Sequence, residues 1–109
     1  MEIHVKNAKL RKLLEVQSQA VQKLGKAAAK KLATRRGELV AATSVTDLRT
    51  GDPHPLKGDR VGQYSVDLDG GRRLLFEPAH EIWPTKEDGG IDWARVTEIR
   101  IILIGDYHD

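Results

Sequence analysis

The sequence predicts an α+β domain in which an N-terminal strand and two helices pack on one face of a small, mostly antiparallel sheet. Two patterns predict this class. Apolar residues repeat at helical spacing over residues 7–42, whereas from His54 onward they alternate or run together, as they do in strands. Helices that precede a group of strands cover one face of the resulting sheet. The other face is then available to bind a ligand.

The N-terminal region begins with a short alternating segment, Met1–Val5, which predicts the first strand. Asn7 precedes leucines at helical spacing and is a favourable N-cap residue. We therefore expect the first helix to start after Asn7 and to end near Val16.

A longer helix is predicted from about Ser18 to Ala42. It contains Gly25 and Gly37, each of which weakens a helix by roughly 1 kcal/mol, so a bend is expected near one of them. The following segment, Ser44–Asp47, has the form of a capping box with Asp in place of the usual Glu. It predicts one short helical turn that ends near Gly51.

The C-terminal region has the two-residue period of β-strands. Asp69-Gly70-Gly71 predicts a hairpin turn, because glycine accepts positive φ. Pro78 is expected to stop the second arm, and residues 79–96 are expected to form a loop with one helical turn at 92–94. The last apolar run is expected to be a central strand buried on both faces. Strands are predicted at His54–Gly58, Gln63–Leu68, Arg72–Glu77 and Glu98–Asp106.

Length and composition predict a single domain, residues 1–109, that lies in the cytoplasm. The chain has no cysteine, no apolar run that could span a bilayer and no N-terminal pattern typical of a signal peptide. Charge is unevenly distributed. Residues 1–60 hold thirteen of the eighteen Lys and Arg residues and six of the sixteen acidic residues, whereas residues 61–109 are net acidic. The basic half indicates a polyanion or an acidic protein as partner, or a well-solvated helix surface.

Several residues could cleave RNA without a metal. That reaction needs a base for the ribose 2′-OH, an acid for the leaving 5′-oxygen and cations for the phosphate. Each candidate also has a structural explanation: Arg73 could pair with Asp67 across the hairpin, Lys57 could be a solvated turn residue, and the terminal cluster could be a frayed end. The candidates are His54, Lys57, Arg73, Asp106, Tyr107 and His108.

No metal or other cofactor is expected. The two remaining histidines, His4 and His80, form no HxH or HxxxH pair of the kind that holds a metal.

The candidates lie in blocks that resemble the HigB branch of the RelE/ParE toxin superfamily. The blocks occur in the expected order, and the order of strands and helices matches over the whole chain. The resemblance implies a RelE-like fold and a ribosome-dependent mRNA endoribonuclease. It also implies neutralisation by a helix-turn-helix antitoxin of the HigA type, with operator DNA contacted only through that antitoxin. The blocks are His54–Arg60 (HPLKGDR), Gly62–Val66 (GQYSV), Arg73–Phe76 (RLLF) and Asp106–His108 (DYH).

The same resemblance implies a role for each candidate. His54 and His108 would transfer protons, and Lys57 and Arg73 would neutralise charge on the phosphate. Asp106 would orient an imidazole. The tyrosine that follows it would stack on a base or assist a proton transfer.

Three other interpretations remain open. A ParE-like protein would have the same fold, no nuclease activity and DNA gyrase as its target. A non-catalytic nucleic-acid-binding module would use the lysine-rich helix, and an inert remnant would do neither. His54 and the terminal cluster favour the nuclease, since a gyrase inhibitor does not need them. Residues 79–96 are longer than the equivalent connection in the smallest family members, and we expect an inert insertion there rather than an antitoxin contact.

Overall fold

Five strands form one sheet in the computed structural model, which describes residues 1–106. Three helices precede the second strand, and short 3₁₀ turns occupy Val45–Asp47, Gly58–Arg60 and Trp93–Arg95. In chain order the elements are β1 (Glu2–Val5), α1 (Ala8–Glu15), α2 (Gln17–Leu24), α3 (Lys26–Ala41), β2 (His54–Pro55), β3 (Tyr64–Asp67), β4 (Arg73–Pro78) and β5 (Glu98–Gly105).

The sheet has the order β1-β5-β4-β3-β2. Its three pairings among β2, β3, β4 and β5 are antiparallel, and only β1 runs parallel to its neighbour, β5. The predicted α+β class with a mostly antiparallel sheet is confirmed. The hairpin turn is also confirmed, with Gly70 at φ +65° and Gly71 at φ +81°.

The predicted single helix over 18–42 is wrong, because α2 and α3 are separate helices. Gly25 lies between them at φ +90° and ψ 161°, a conformation that glycine adopts without steric cost. Gly37 lies within α3 and does not interrupt it. The start of α1 is as predicted, since Asn7 Oδ1 accepts a 2.9 Å hydrogen bond from the backbone N–H of Leu10.

Strand β5 differs from the predicted central strand buried on both faces. It lies second in the sheet, and Ile102 and Leu103 remain half-buried while Ile99 and Ile101 are fully buried. The register between β4 and β5 shifts at this point. Leu75 pairs with Leu103 and Phe76 pairs with Ile101, which leaves Ile102 without a partner on β4. Strand β4 is the middle strand.

Two other strand boundaries differ from the prediction. Pro78 forms the last pair of β4 instead of lying beyond it. Strand β2 contains only His54 and Pro55, because the chain turns into a 3₁₀ helix at Gly58, which has φ +63°.

The hydrophobic core lies between the helices and the sheet. Alternate residues of β3, β4 and β5 point into it, and so do the inward faces of α2 and α3. Its largest fully buried members are Phe76, Leu74, Ile99, Ile101, Leu32, Leu39, Val45, Val66 and Val96.

Arg35 of α3 is a buried cation beside this core. Its Nε donates a 2.8 Å hydrogen bond to the backbone carbonyl of Asp67, at the end of β3. Its Nη1 donates to Glu38 Oε1 at 2.9 Å and to Thr50 Oγ1 at 3.2 Å. One guanidinium therefore joins a helix, the end of a strand and the loop that precedes β2.

The loop passes the guanidinium at Gly51, where only glycine fits. A Cβ atom on Gly51 would lie 2.6 Å from Arg35 Nε, and the residue has φ +82°. The carbonyl of Gly51 accepts a 2.7 Å hydrogen bond from the N–H of Asp67, which fixes the loop to β3.

Residues 79–96 are ordered and pack on the domain. Trp93 contacts the rings of Tyr64 and Phe76, with centroid distances of 4.8 and 6.5 Å. A bridge between Thr85 and Ile91 closes the segment into a small hairpin. The predicted helical turn is the 3₁₀ turn that begins at Trp93.

Within residues 1–106, none of the helices combines the length and hydrophobicity that crossing a membrane requires.

Replacing Arg35 by Met should destabilise the fold by about 2–3 kcal/mol, because Glu38 loses its cation and a buried carbonyl loses its donor. Arg36→Met, at the exposed neighbouring position of α3, should change stability by less than about 0.5 kcal/mol. Urea unfolding followed by circular dichroism measures both. Equal midpoints for the two variants would contradict the role given to Arg35.

Stability should also decline at acid pH through Glu38. Burial alone raises the pKa of its carboxyl, but hydrogen bonds from Thr50 and Arg35 outweigh this and lower the pKa below its ordinary value of 4.5. A carboxyl with a lowered folded-state pKa stabilises the fold above its unfolded pKa, and that contribution is lost as pH falls through the folded pKa. The urea midpoint of the wild type should therefore fall between about pH 6 and about pH 3. The midpoint of the Glu38→Gln variant should fall less steeply over the same range. Parallel curves for the two proteins would show that Glu38 is not responsible.

Candidate functional site

The sheet face that points away from the helices carries the candidate residues of β2 and β4. Tyr64, Val66, Leu74 and Phe76 point into the helix-side core, so the residues between them point to the opposite face. We call that surface the polar face. Its members on β2, β3 and β4 are His54, Ser65, Asp67, Arg73, Leu75 and Glu77.

His54 is half-exposed on β2 and is held by the loop before it. Its Nδ1 lies 2.7 Å from the backbone carbonyl of Asp52 and 3.7 Å from the carboxylate of the same residue. A carbonyl only accepts, so the hydrogen bond assigns the ring proton to Nδ1 and leaves Nε2 as a proton acceptor. Asp52 has φ +48° and is the one non-glycine residue with positive φ among residues 1–106. This conformation brings its backbone carbonyl and its carboxylate to the imidazole.

Arg73 begins β4 and pairs in register with Asp67 of β3. Its Nε lies 2.9 Å from Asp67 Oδ1, without hydrogen-bond alignment, and its Nη1 donates to the carbonyl of Arg72 at 3.1 Å. The cross-strand ion pair that the sequence predicted as the structural explanation for Arg73 is therefore present. The pair fixes the guanidinium while part of it remains exposed to solvent.

The end of strand β5 lies beside Arg73. Gly105, its last residue, pairs in register with Arg73, and Asp106 follows directly. Asp106 is exposed. Tyr107 and His108, the other members of the predicted cluster, lie outside the described residues.

Lys57 is placed apart from these residues. It is exposed and immediately precedes the 3₁₀ turn that begins at Gly58. The neighbouring Leu56 bonds to Gln63, near the start of β3, whereas Arg73 pairs with its end. Arg73 and Asp106 therefore lie at one end of the sheet, and Lys57 lies toward the other. His54 lies between these ends, level with Leu75 and two strands from β4.

Ser65 lies between His54 and Leu75 on the polar face and was not predicted as a functional residue. It is fully buried, and its hydroxyl has no hydrogen-bond partner within residues 1–106. Leaving such a group unpaired costs about 1–3 kcal/mol. The alternation of β3 places Ser65 on this face, but its isolation depends on packing that the sequence does not reveal.

A second group of ionisable residues lies at the opposite end of the sheet and was also missed. Glu2 and His4 alternate on β1, and Glu98 lies opposite Glu2 on β5. His4 Nε2 is 3.4 Å from Glu2 Oε1 and 3.6 Å from Glu98 Oε1. The hydrogen bond with the Glu2 carboxyl, followed by that with His4, lowers the pKa of Glu98 despite some opposing desolvation. The spacing Glu-x-His on a strand was the available signal, but only the parallel pairing adds the third residue.

Comparisons with known proteins establish the fold. No protein-family model and no curated protein matches this sequence. One similar solved structure is a YoeB/ParE toxin from Agrobacterium tumefaciens, with a TM-score of 0.62 and 13% sequence identity, and the alignment covers 99% of this chain and 100% of that chain. At this identity the likeness concerns the backbone, and function has to be argued from the residues of the site. The chain therefore adopts the RelE/ParE-type toxin fold over nearly all of its length.

Proposed function

We propose that this chain is the toxin of a type II toxin–antitoxin pair, acting as a ribosome-dependent, metal-independent mRNA endoribonuclease of the HigB type. The observation that carries the proposal is that His54 and Arg73 lie on the same face of the sheet, two strands apart, while Asp106 directly follows the residue that pairs with Arg73. These residues come from three sequence blocks that resemble the HigB branch, and they supply a base, a cation and a carboxylate.

His54 has the arrangement that a general base requires. Its Nδ1–H is bound by the Asp52 carbonyl, so Nε2 is free to accept the proton of a ribose 2′-OH. The Asp52 carboxylate, 3.7 Å from Nδ1, stabilises the imidazolium that this transfer creates. The 2′-oxygen then attacks the adjacent phosphorus and the bond to the 5′-oxygen breaks. The products are a 2′,3′-cyclic phosphate and a free 5′-hydroxyl.

Arg73 supports the phosphate during this attack. Asp67 and the Arg72 carbonyl hold Nε and Nη1, which orients the planar guanidinium and leaves Nη2 to donate to a phosphate oxygen. The ion pair partly neutralises Arg73, so its contribution depends on directed hydrogen bonds more than on net charge. Lys57, toward the other end of the sheet, contacts the RNA backbone.

The proton for the leaving 5′-oxygen comes from the residues after β5. Asp106 directly follows Gly105, which pairs with Arg73 in register. We assign the proton transfer to His108, the orientation of its imidazole to Asp106, and base stacking to Tyr107.

A HigA-like helix-turn-helix antitoxin is the proposed protein partner, and operator DNA is bound only through it. The ribosome and its mRNA are the proposed targets in the cytoplasm. Exposed cations on α2 and α3 are compatible with a ribosomal RNA surface. We propose residues 79–96 as an inert insertion, because the segment packs on the core through Trp93.

Messenger RNA should be cut within translated reading frames when the chain is added to a reconstituted translation system, and untranslated RNA should be spared. His54→Ala should slow cutting by about 10²–10⁴-fold, because it removes the base. Lys30→Ala, on the exposed side of α3, should leave the rate within a few-fold of wild type. Mapping of new 5′ ends measures the cuts, and binding to the antitoxin with unchanged thermal melting controls for folding.

Intact messages together with gyrase-dependent DNA breaks would overturn this proposal in favour of a ParE-like inhibitor. A Lys30→Ala effect as large as that of His54→Ala would instead make the basic helices the functional surface.

Two adjacent arginines test the phosphate contact. Arg73→Ala should reduce cutting by roughly 10²–10³-fold, by analogy with the loss of an oxyanion donor. Arg73→Lys should recover only part of the rate, because lysine lacks the planar donor geometry. Arg72→Ala is the matched control, since Arg72 precedes β4 and by alternation points to the other side. Single-turnover cleavage rates distinguish the three variants, and equal losses at Arg72 and Arg73 would exclude a specific phosphate contact.

A further inference from the structure

Glu2, His4 and Glu98 form an exposed cluster whose ligand atoms all lie within 4.8 Å of one another. The cluster is separate from the proposed nuclease site. Glu98 begins β5 and Gly105 ends it, so the cluster lies about 23 Å along the strand from the residue that pairs with Arg73. It lies at the β1 edge of the sheet, and three strands separate β1 from β2.

The distances within the cluster suit a small metal ion. Bonds of about 2.0–2.1 Å in a tetrahedral site place neighbouring ligand atoms about 3.4 Å apart. His4 Nε2 lies 3.4 Å from Glu2 Oε1 and 3.6 Å from Glu98 Oε1. The sheet holds all three residues in register, since Glu2 and His4 alternate along β1 and Glu98 lies directly opposite Glu2 on β5. Little movement is needed to close the three atoms around an ion.

His80 orients one of these carboxylates. Its Nε2 accepts hydrogen bonds from the N–H groups of Thr97 and Glu98, at 3.0 and 3.4 Å, so the ring proton lies on Nδ1. Nδ1 lies 3.5 Å from Glu98 Oε2. The Oε1 atom on the other side of that carboxylate is therefore directed toward His4. Carboxylates that bind metals in proteins are commonly held by a further polar contact, and His80 supplies one to Glu98.

The cation opposite His4 does not compete for the cluster. Arg100 lies opposite His4 in register, but its guanidinium donates a 3.2 Å hydrogen bond to Glu77 on β4. A simple ion-pair network would bring this permanent cation to the two carboxylates at Glu2 and Glu98.

From this geometry we propose that Glu2, His4 and Glu98 bind one divalent transition-metal ion of the zinc class, with solvent at the remaining position. One imidazole and two carboxylates favour zinc, cobalt or nickel over magnesium and calcium, which prefer all-oxygen sites. The ion joins β1 to β5 through side chains, in addition to their backbone hydrogen bonds. Its role is structural, because the site is distant from His54 and Arg73.

Calorimetric titration of ZnCl₂ into the purified, untagged chain tests the proposal directly. We expect one zinc ion per chain, unaffected by excess magnesium. His80→Ala should weaken binding by about 10–100-fold, because the positioning contact is lost. His4→Gln and Glu98→Gln should weaken it further. Glu87→Gln, an exposed glutamate of the 79–96 segment, should bind zinc like the wild type.

Cobalt provides a readout that a purely structural effect of the variants would not change. The wild type should give the visible absorption of a low-symmetry cobalt site, His80→Ala should reach the same spectrum at higher cobalt concentration, and His4→Gln should not develop it. Circular dichroism confirms that each variant is folded.

Absence of zinc binding by the wild type would overturn the proposal. Full zinc binding by His4→Gln would also overturn it. Loss of zinc binding in His54→Ala would show that the ion binds near His54 instead. The nuclease assay is a separate measurement, because new 5′ ends report cleavage of mRNA and not zinc binding.

Discussion

The hydrogen bonds of the buried Arg35 guanidinium fix the position of the helix layer relative to the polar face. The guanidinium binds the carbonyl of Asp67 from one side of the sheet, and the carboxylate of Asp67 contacts Arg73 on the other. The N–H of Asp67 is bound by Gly51. One strand-end residue therefore uses its carbonyl, its amide and its side chain to fix a helix, a loop and the proposed phosphate ligand. A shift of α3 would be transmitted to Arg73 through the hydrogen bond and the ion pair that Asp67 makes.

The same loop positions His54. Between Gly51, which is closed against Arg35, and His54 there are only two residues, and one of them is the strained Asp52. Non-glycine residues with positive φ cost free energy, and they persist where surrounding contacts determine the backbone. Here the contacts are the Gly51–Asp67 hydrogen bond and the hydrogen bond that the His54 imidazole donates to the Asp52 carbonyl. The orientation of the proposed base is thus a property of the fold, before any substrate binds.

Most of the fold could be predicted because local signals agreed with one another. The cap at Asn7, the capping box beginning at Ser44 and the hairpin at Gly70-Gly71 all depend on neighbouring residues, and all are present. The sequence could not show that the helix breaks at Gly25 and continues through Gly37. Both glycines carry the same intrinsic helix penalty, and tertiary packing decides between them.

The candidate site was predicted less completely. The pairing of Arg73 with Asp67 follows from hairpin register, whereas the turn that brings Asp52 back to His54 has no local sequence signal. The grouping of Glu2, His4 and Glu98 requires knowledge that the first and last strands are parallel neighbours. In the sequence, Arg35 cannot be distinguished from the other basic residues of its helix. Its burial depends on contact with a loop that is fifteen residues away.

The position of β5 has a consequence for the order of assembly. This last strand lies between β1 and β4, so the first strand has no neighbour in the sheet until the last one has been synthesised. Contacts that join segments nearly a hundred residues apart give the domain a high contact order and delay folding. Until residue 105 has left the ribosomal tunnel, the nascent chain can form its helices and its β3–β4 hairpin but not its complete sheet. The surface that holds His54 and Arg73 therefore reaches its final form only after nearly all of the chain has been synthesised.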